Sequence, residues 1–404
     1  MVHQPVALAA AVGLVLGLAA ALQAADDAAK TGGAAPVAGL EARKAGDALT
    51  LGGKAVTIKE LDLTPLVRNE FSAAYKFDSF ENPKLKTLRE KYQLDKVVAP
   101  GKTEFDKQLL LMDWTYRQFK KFGTPSPDHV HGALEILAAV EQGGTYYCAQ
   151  YASVLSSAAA SLGWIDRTLG GHVCSKTSPG RDTYKEHSWT EIWSNQYKKW
   201  IMFDPTFDLY VEKNGVPLNS WEIRQEWFHN HDGQDLDFVV GPDWKKKKRS
   251  DMPWRPTPAA TVGFSFPTSV RTFDVYGFIM YATNQCQMDP GPGNGPEFIC
   301  KDSLCDGIEW HTRKNPADPA REANFPLNQA ALTLTPADGP TIKVTVDTCT
   351  PNFANYKARV DGHAWQSAVP ATWPLHAGTN TLEVVSVNKF GVEGVPSKVV
   401  LDVR

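Results

Sequence analysis

Apolar residues along the chain switch between a helical and a strand period, and each switch marks a change of element. Between Glu104 and Phe122, Phe105, Leu109, Met112, Tyr116 and Phe119 recur at three- and four-residue spacing, which predicts a helix with one core-facing stripe. Gly132 to Glu141 predicts a second, shorter helix. Ala149 to Leu162 is rich in Ala, free of Gly and Pro, and stops at Gly163, the pattern of a helix with a glycine terminator. The period then drops. Residues 187–193 and 200–204 are dominated by β-branched and aromatic types, with a turn between them. Leu218-Asn219-Ser220 predicts a further helix start, with Ser220 as the cap. Helices first and strands second predict an α+β domain.

The last stretch reads differently. Ile342–Val346 and Thr381–Val387 alternate with period two, and turn signals lie at Asp361-Gly362, Gly378-Thr379-Asn380 and Gly391–Gly394. Short alternating strands at such intervals predict an all-β sandwich over 331–404. The expected organisation is therefore an apolar leader at 1–24, a small-residue linker at 25–50 and a catalytic domain at 51–240 that opens with a short hairpin at 51–62. An intermediate β region or linker follows at 241–330, then the sandwich. Lys245–Arg249 reads as a solvated basic linker, and His229-Asn230-His231-Asp232 as a polar loop rather than a metal site. Trp365 and Trp373 read as core residues before a carbohydrate platform.

Chemistry concentrates at three positions. Cys148 stands in Gly-Thr-Tyr-Tyr-Cys-Ala at the start of the Ala-rich helix, where the positive end of the dipole favours a thiolate. His187 opens His-Ser-Trp-Thr-Glu-Ile-Trp, and Asp204 closes Trp-Ile-Met-Phe-Asp. Pairing Trp193 with Lys198 across the turn sets His187 directly opposite Asp204, with Cβ atoms about 4.5–5.5 Å apart. Thiol, imidazole and carboxylate are the parts of an activated sulfur nucleophile. Backbone N–H groups at the helix start are candidates for stabilising an oxyanion, with Tyr146, Tyr147 and Gln142 as candidates for a further donor.

These motifs, with Ser-Leu-Gly-Trp (161–164), Asp166-Arg167 and Asp204-Pro205-Thr206, resemble the transglutaminase-like superfamily, with its papain-like cysteine core. The resemblance is good over 105–210. It implies helices packed on an antiparallel sheet, and the roles of nucleophile, base and orienting group for Cys148, His187 and Asp204. Gly-Gln-Cys-Trp of the animal transglutaminases is replaced here by Tyr-Tyr-Cys-Ala, and no Asp-x-Asp-x-Asp-Gly loop is visible. Protein cross-linking and calcium dependence therefore do not carry over. No cofactor and no metal are expected. The C-terminal pattern resembles the Ig-like or fibronectin-like modules of exported bacterial enzymes.

Hydrophobic content of 43% with 22% charge suffices for sizeable cores, and a net charge of −3 predicts no general attraction to nucleic acid or anionic membrane. Val6–Ala24 is apolar and uncharged, which reads as a secretory signal cleaved near Ala24 or Ala25, or alternatively as an N-terminal anchor. The expected location is periplasmic or secreted. Cys286, Cys300, Cys305 and Cys349 could form two disulfides, leaving Cys174 over and Cys148 free. Two functional readings follow. One is an exported thiol enzyme acting on amide bonds of a protein, peptide or peptidoglycan-like substrate, by hydrolysis or by acyl transfer. The other is a non-catalytic envelope or surface binding protein on the same scaffold.

Overall fold

The computed structural model describes residues 39–128, 130–172, 186–230, 233–248, 272–290, 295–300 and 318–404. The expected leader, Cys174, His231, Asp232 and Cys305 lie outside these residues. Helix and strand are mixed, as an α+β reading requires.

The Cys148–Ser161 helix is the centre of the molecule, buried along its whole length from Tyr151 onward. Ala152, Ala158, Ala159 and Ala160 with Ser153, Ser156, Ser157 and Ser161 give it a thin profile, so neighbours approach on every side. Around it pack the Pro83–Lys91, Glu104–Gln118 and Ala133–Glu141 helices. Thr103 caps the second of these by accepting from Asp106 N–H, and Phe105, Leu109 and Met112 of the predicted stripe are buried. The stripe's helix ends at Gln118, and Phe119 is buried in the extended segment that follows.

The Cys148 helix lies across a five-stranded antiparallel sheet in the order 297–300, 278–282, 166–172, 186–194, 199–203. Thr190 Oγ1 donates to Ala152 O at 3.0 Å, and the Ser156 and Thr168 hydroxyls meet at 3.1 Å. Phe278–Ala282, expected in the intermediate region, is thus an inner strand beside Asp166–His172. A second sheet runs 245–247, 237–240, 209–213, 216–217. The basic run is corrected here. Lys245–Lys247 is an edge strand rather than a linker, held by Lys246 against Glu212 and by Lys248 against Asp237 at 2.7 Å.

Towards the C-terminus, strands 331–336, 341–347 and 372–374 form one sheet, while 353–360, 378–388 and 397–403 belong to another. Both contribute to one hydrophobic core that includes Leu334, Ile342, Trp373, Leu382, Val399 and Leu401. Trp373 is buried in it, whereas Trp365 stays at the surface against Arg359, so the two do not form a platform. The Ala48–Leu51 and Lys54–Asp62 hairpin, grouped by sequence with the catalytic region, completes the sheet of 353–360, 378–388 and 397–403. Val56 pairs with Val403 and Thr57 with Asp402. The linker expected over 25–50 is corrected over its described part. Leu40 is fully buried in the same core and Ala48–Thr50 are strand, because Leu40 and Leu51 supply apolar side chains that a linker lacks.

The two regions are pinned at the end of the Cys148 helix. Gly163 takes φ +83, with Trp164 N–H bonding Ala159 O and Gly163 N–H bonding Ala160 O, the paired bonds of a Schellman cap. Asn388 Nδ2 donates to Gly163 O at 2.8 Å, and a Cβ at Gly163 would lie 2.8 Å from Val392 and 2.9 Å from Phe390.

Candidate active site

Cys148 is the first residue of its helix, and Tyr147 N–H donates to the Gln150 side chain at 3.2 Å, fixing the chain's entry. The first N–H groups of a helix have no intrahelical partner, so the dipole's positive end and these donors face the thiol region. Cys148 is a half-buried free thiol.

The hairpin that brings His187 to it pairs Ser194 with Lys199, Trp193 with Trp200 and Thr190 with Phe203. This register differs from the expected one, in which Trp193 met Lys198. The four-residue loop is Asn195–Lys198, closed by Tyr197 N–H on Ser194 Oγ at 3.2 Å and by a left-handed Lys198 at φ 54. The offset changes by two, so side-chain parity survives: His187 and Asp204 become diagonal neighbours on one face instead of direct opposites. His187 Nε2 and Asp204 Oδ2 are 2.6 Å apart, with both side chains buried. Asp204 Oδ1 is held by Thr206 N–H at 3.1 Å, and Asp204 N–H and Leu209 N–H bond reciprocally across the 205–208 loop.

With Nε2 engaged by Asp204, Nδ1 is the ring nitrogen left for the thiol. Burial works against a charged ring here, and the Asp204 carboxylate and Cys148 overcome it, pushing His187 up to about 10. A ring that stays protonated beside a thiol favours the thiolate–imidazolium pair from which sulfur attack starts. The ring is walled by Phe207 at 5.1 Å and Trp189 at 6.0 Å between centroids.

The candidates for a further donor fare less well. Tyr146 is buried in the helical core, the Tyr147 hydroxyl is 2.8 Å from Thr124 Oγ1, and Gln142 is exposed at the end of the preceding helix. The tyrosines' apolar rings take them into packing, which their hydroxyls alone would not predict. Ser220 is corrected as a cap. Asn219 does that work by accepting from Glu222 N–H at 2.9 Å, while Ser220 Oγ accepts from Trp189 Nε1 at 2.7 Å and donates to Glu191 Oε1 at 2.5 Å.

Residues 92–205 match the family model of the transglutaminase-like superfamily. Over these residues the chain is similar to the transglutaminase-like superfamily. No curated protein matches the chain. The matched segment begins at Tyr92, before the Glu104–Gln118 helix, takes in Cys148 and His187, and ends one residue past Asp204, so all three candidate residues fall inside it.

Sequence reasoning missed the surroundings of this core. Tyr276 comes from a turn about seventy residues downstream of the hairpin; its ring stacks obliquely on Trp189 at 4.7 Å. Burial, then the nearby Asp204 and Glu191 carboxylates, push its phenol well up. Nothing local in Asp-Val-Tyr-Gly predicts that placement. Phe207 had a weak signal, standing three residues after Asp204. The expected disulfides are corrected for two of the four cysteines: Cys286 and Cys349 are free thiols, with Cys286 Sγ 3.5 Å from Phe77 O, while the Cys300 side chain and Cys305 lie outside what the structure describes. Strand and loop packing place those two cysteines against different neighbours, and clustering in sequence did not bring them together. Among the described residues no group of three or more His, Cys, Asp or Glu is arranged to hold a metal, and no helix is long and apolar enough to cross a membrane.

Proposed function

We propose that this protein is an exported thiol enzyme that acts on amide bonds through an acyl-thioester on Cys148. The observation that carries the reading is the 2.6 Å contact of His187 Nε2 with Asp204, which leaves the other ring nitrogen to the thiol at the helix start. The Cys148 thiolate attacks the amide carbonyl, and helix N–H groups stabilise the oxyanion. Imidazolium His187 gives its proton to the departing amine, and Asp204 holds the ring's tautomer and orientation. Water activated by neutral His187 then releases the acid, or an amine takes the acyl group.

Substrates of this class are proteins, peptides or peptidoglycan-like amides. The uncharged apolar run Val6–Ala24 supports export to the periplasm or beyond. The C-terminal strands, in two sheets sharing one core, support an Ig-like or fibronectin-like sandwich as an accessory module.

The test is intact-mass analysis after incubation with a peptide-amide library, with and without an added primary amine. The expected outcome is an acyl adduct and product release with wild type and neither with Cys148→Ala. Amine incorporation would assign acyl transfer and its absence hydrolysis. Equal processing by both proteins, or none by either, would replace this reading with a binding protein on the same scaffold.

A further inference from the structure

Four residues after Asp204, the same loop carries a second aspartate in an unusual setting. Asp208 is 1% exposed and adopts left-handed φ 52, and neither of its carboxyl oxygens accepts a hydrogen bond from a described group. Its carboxyl lies over Gly241, where a Cβ would sit 1.9 Å from Oδ2, and Gly241 N–H bonds Asp208 O at 2.8 Å. From the Glu104–Gln118 helix, Asp113 and Arg117 are the charged groups facing it, with the Tyr116 phenol beside them. Arg117 Nε is committed to Asp113 at 2.9 Å. A buried carboxylate with no donor, next to a second carboxylate, is a costly arrangement unless one of the two carries a proton.

We propose that Asp208 and Asp113 share one proton, and that this carboxyl pair fastens the 204–209 loop to the helix and thereby positions Asp204 and Phe207 against His187. Asp208 is then a positioning residue, and the inference deepens the nucleophile reading above. When the proton leaves to solvent, two carboxylates face each other and repulsion loosens the loop at its fifth residue. The direction is supported electrostatically: burial, then Asp113, push Asp208 from 3.8 up to about 8, against the opposing effect of Arg117.

Between those two values the folded protein holds a proton that the unfolded chain has released, so stability falls as pH rises through this window. Asp208→Asn supplies a permanent donor, and Asn tolerates a left-handed backbone. We expect the wild-type melting temperature to drop by a few degrees from about pH 5 to about pH 8, and this slope to flatten in Asp208→Asn. Acylation by p-nitrophenyl acetate should fall about tenfold across the alkaline limb near pH 8 in wild type. That limb should vanish in Asp208→Asn and in Asp113→Asn, whereas Asp208→Ala should be slow at every pH. An unchanged limb and an unchanged melting slope in Asp208→Asn would overturn the proposal. If wild type is acylated no faster than Cys148→Ala, the nucleophile reading fails, and the melting comparison alone decides whether the proton is shared.

Discussion

His187 and Glu191 stand on the same strand and the same face, two pleat repeats apart, and each belongs to a buried ion pair. Arg167 and Glu191 are fully buried, and their polar atoms are all used. Arg167 Nε donates to Glu191 Oε2 at 2.8 Å, Nη1 to Ala323 O at 2.5 Å and Nη2 to Asn324 Oδ1 at 2.6 Å, with the Trp200 ring 4.2 Å away. Glu191 Oε1 takes Ser220 N–H at 2.7 Å as well as its hydroxyl. The His187–Asp204 pair is built from the same materials but left incomplete, with one ring nitrogen turned to a thiol instead of to a structural acceptor. Saturation makes the first pair scaffold, and the ring nitrogen left open in the second is what the proposed thiol chemistry would use.

The comparison is sharpened most by Asp204→Asn. The amide keeps the shape but removes the charge that holds the ring protonated, so acylation should fall by on the order of 10⁴. Iodoacetamide labelling of Cys148 at neutral pH should slow as well, with near-UV circular dichroism unchanged. Undiminished acylation and labelling would put Asp204 outside the machinery. Next in size, Glu191→Ala leaves the Arg167 guanidinium buried without its counter-charge. Urea unfolding should show a loss of about 3–5 kcal/mol. A loss under about 1 kcal/mol would mean that the saturated pair is no more than a surface-like contact, and the contrast would collapse. The smallest effect is expected at the helix's far end. Gly163→Ala meets a left-handed backbone and the Phe390 and Val392 side chains, so stability should fall by about 1–3 kcal/mol while the acylation rate per folded molecule holds.

Cys148, His187 and Asp204 were legible because each sits in a strong local pattern: a helix start, and two strands around one turn. Alternation fixed which face His187 and Asp204 share, since parity survives a shift of two. It did not fix the offset, which Lys198 and the Ser194–Tyr197 bond decide within the turn. Asn219 and Ser220 are both good caps, and only the buried Trp189 and Glu191 show which oxygen was free for the helix. Phe278–Ala282 read as a strand of the intermediate region with no place in a sheet, because its partner Asp166–His172 lies more than a hundred residues earlier. The loop's second aspartate gave no signal at all, as a lone Asp before a strand resembles any turn residue.

The pairing of 54–62 with 397–403 has an outcome for how the molecule comes to exist. Residues 54–62 pair at once with Ala48–Leu51 on one edge, but their other edge has no neighbour until 397–403 have been made, some 340 positions later. The helical core can assemble in the interval, but the Asn388 seal on Gly163 and the edge for the early hairpin arrive together, after that core has been made. Closing this seam is thus a late event, and until then a bare strand edge is on offer to any other extended chain nearby.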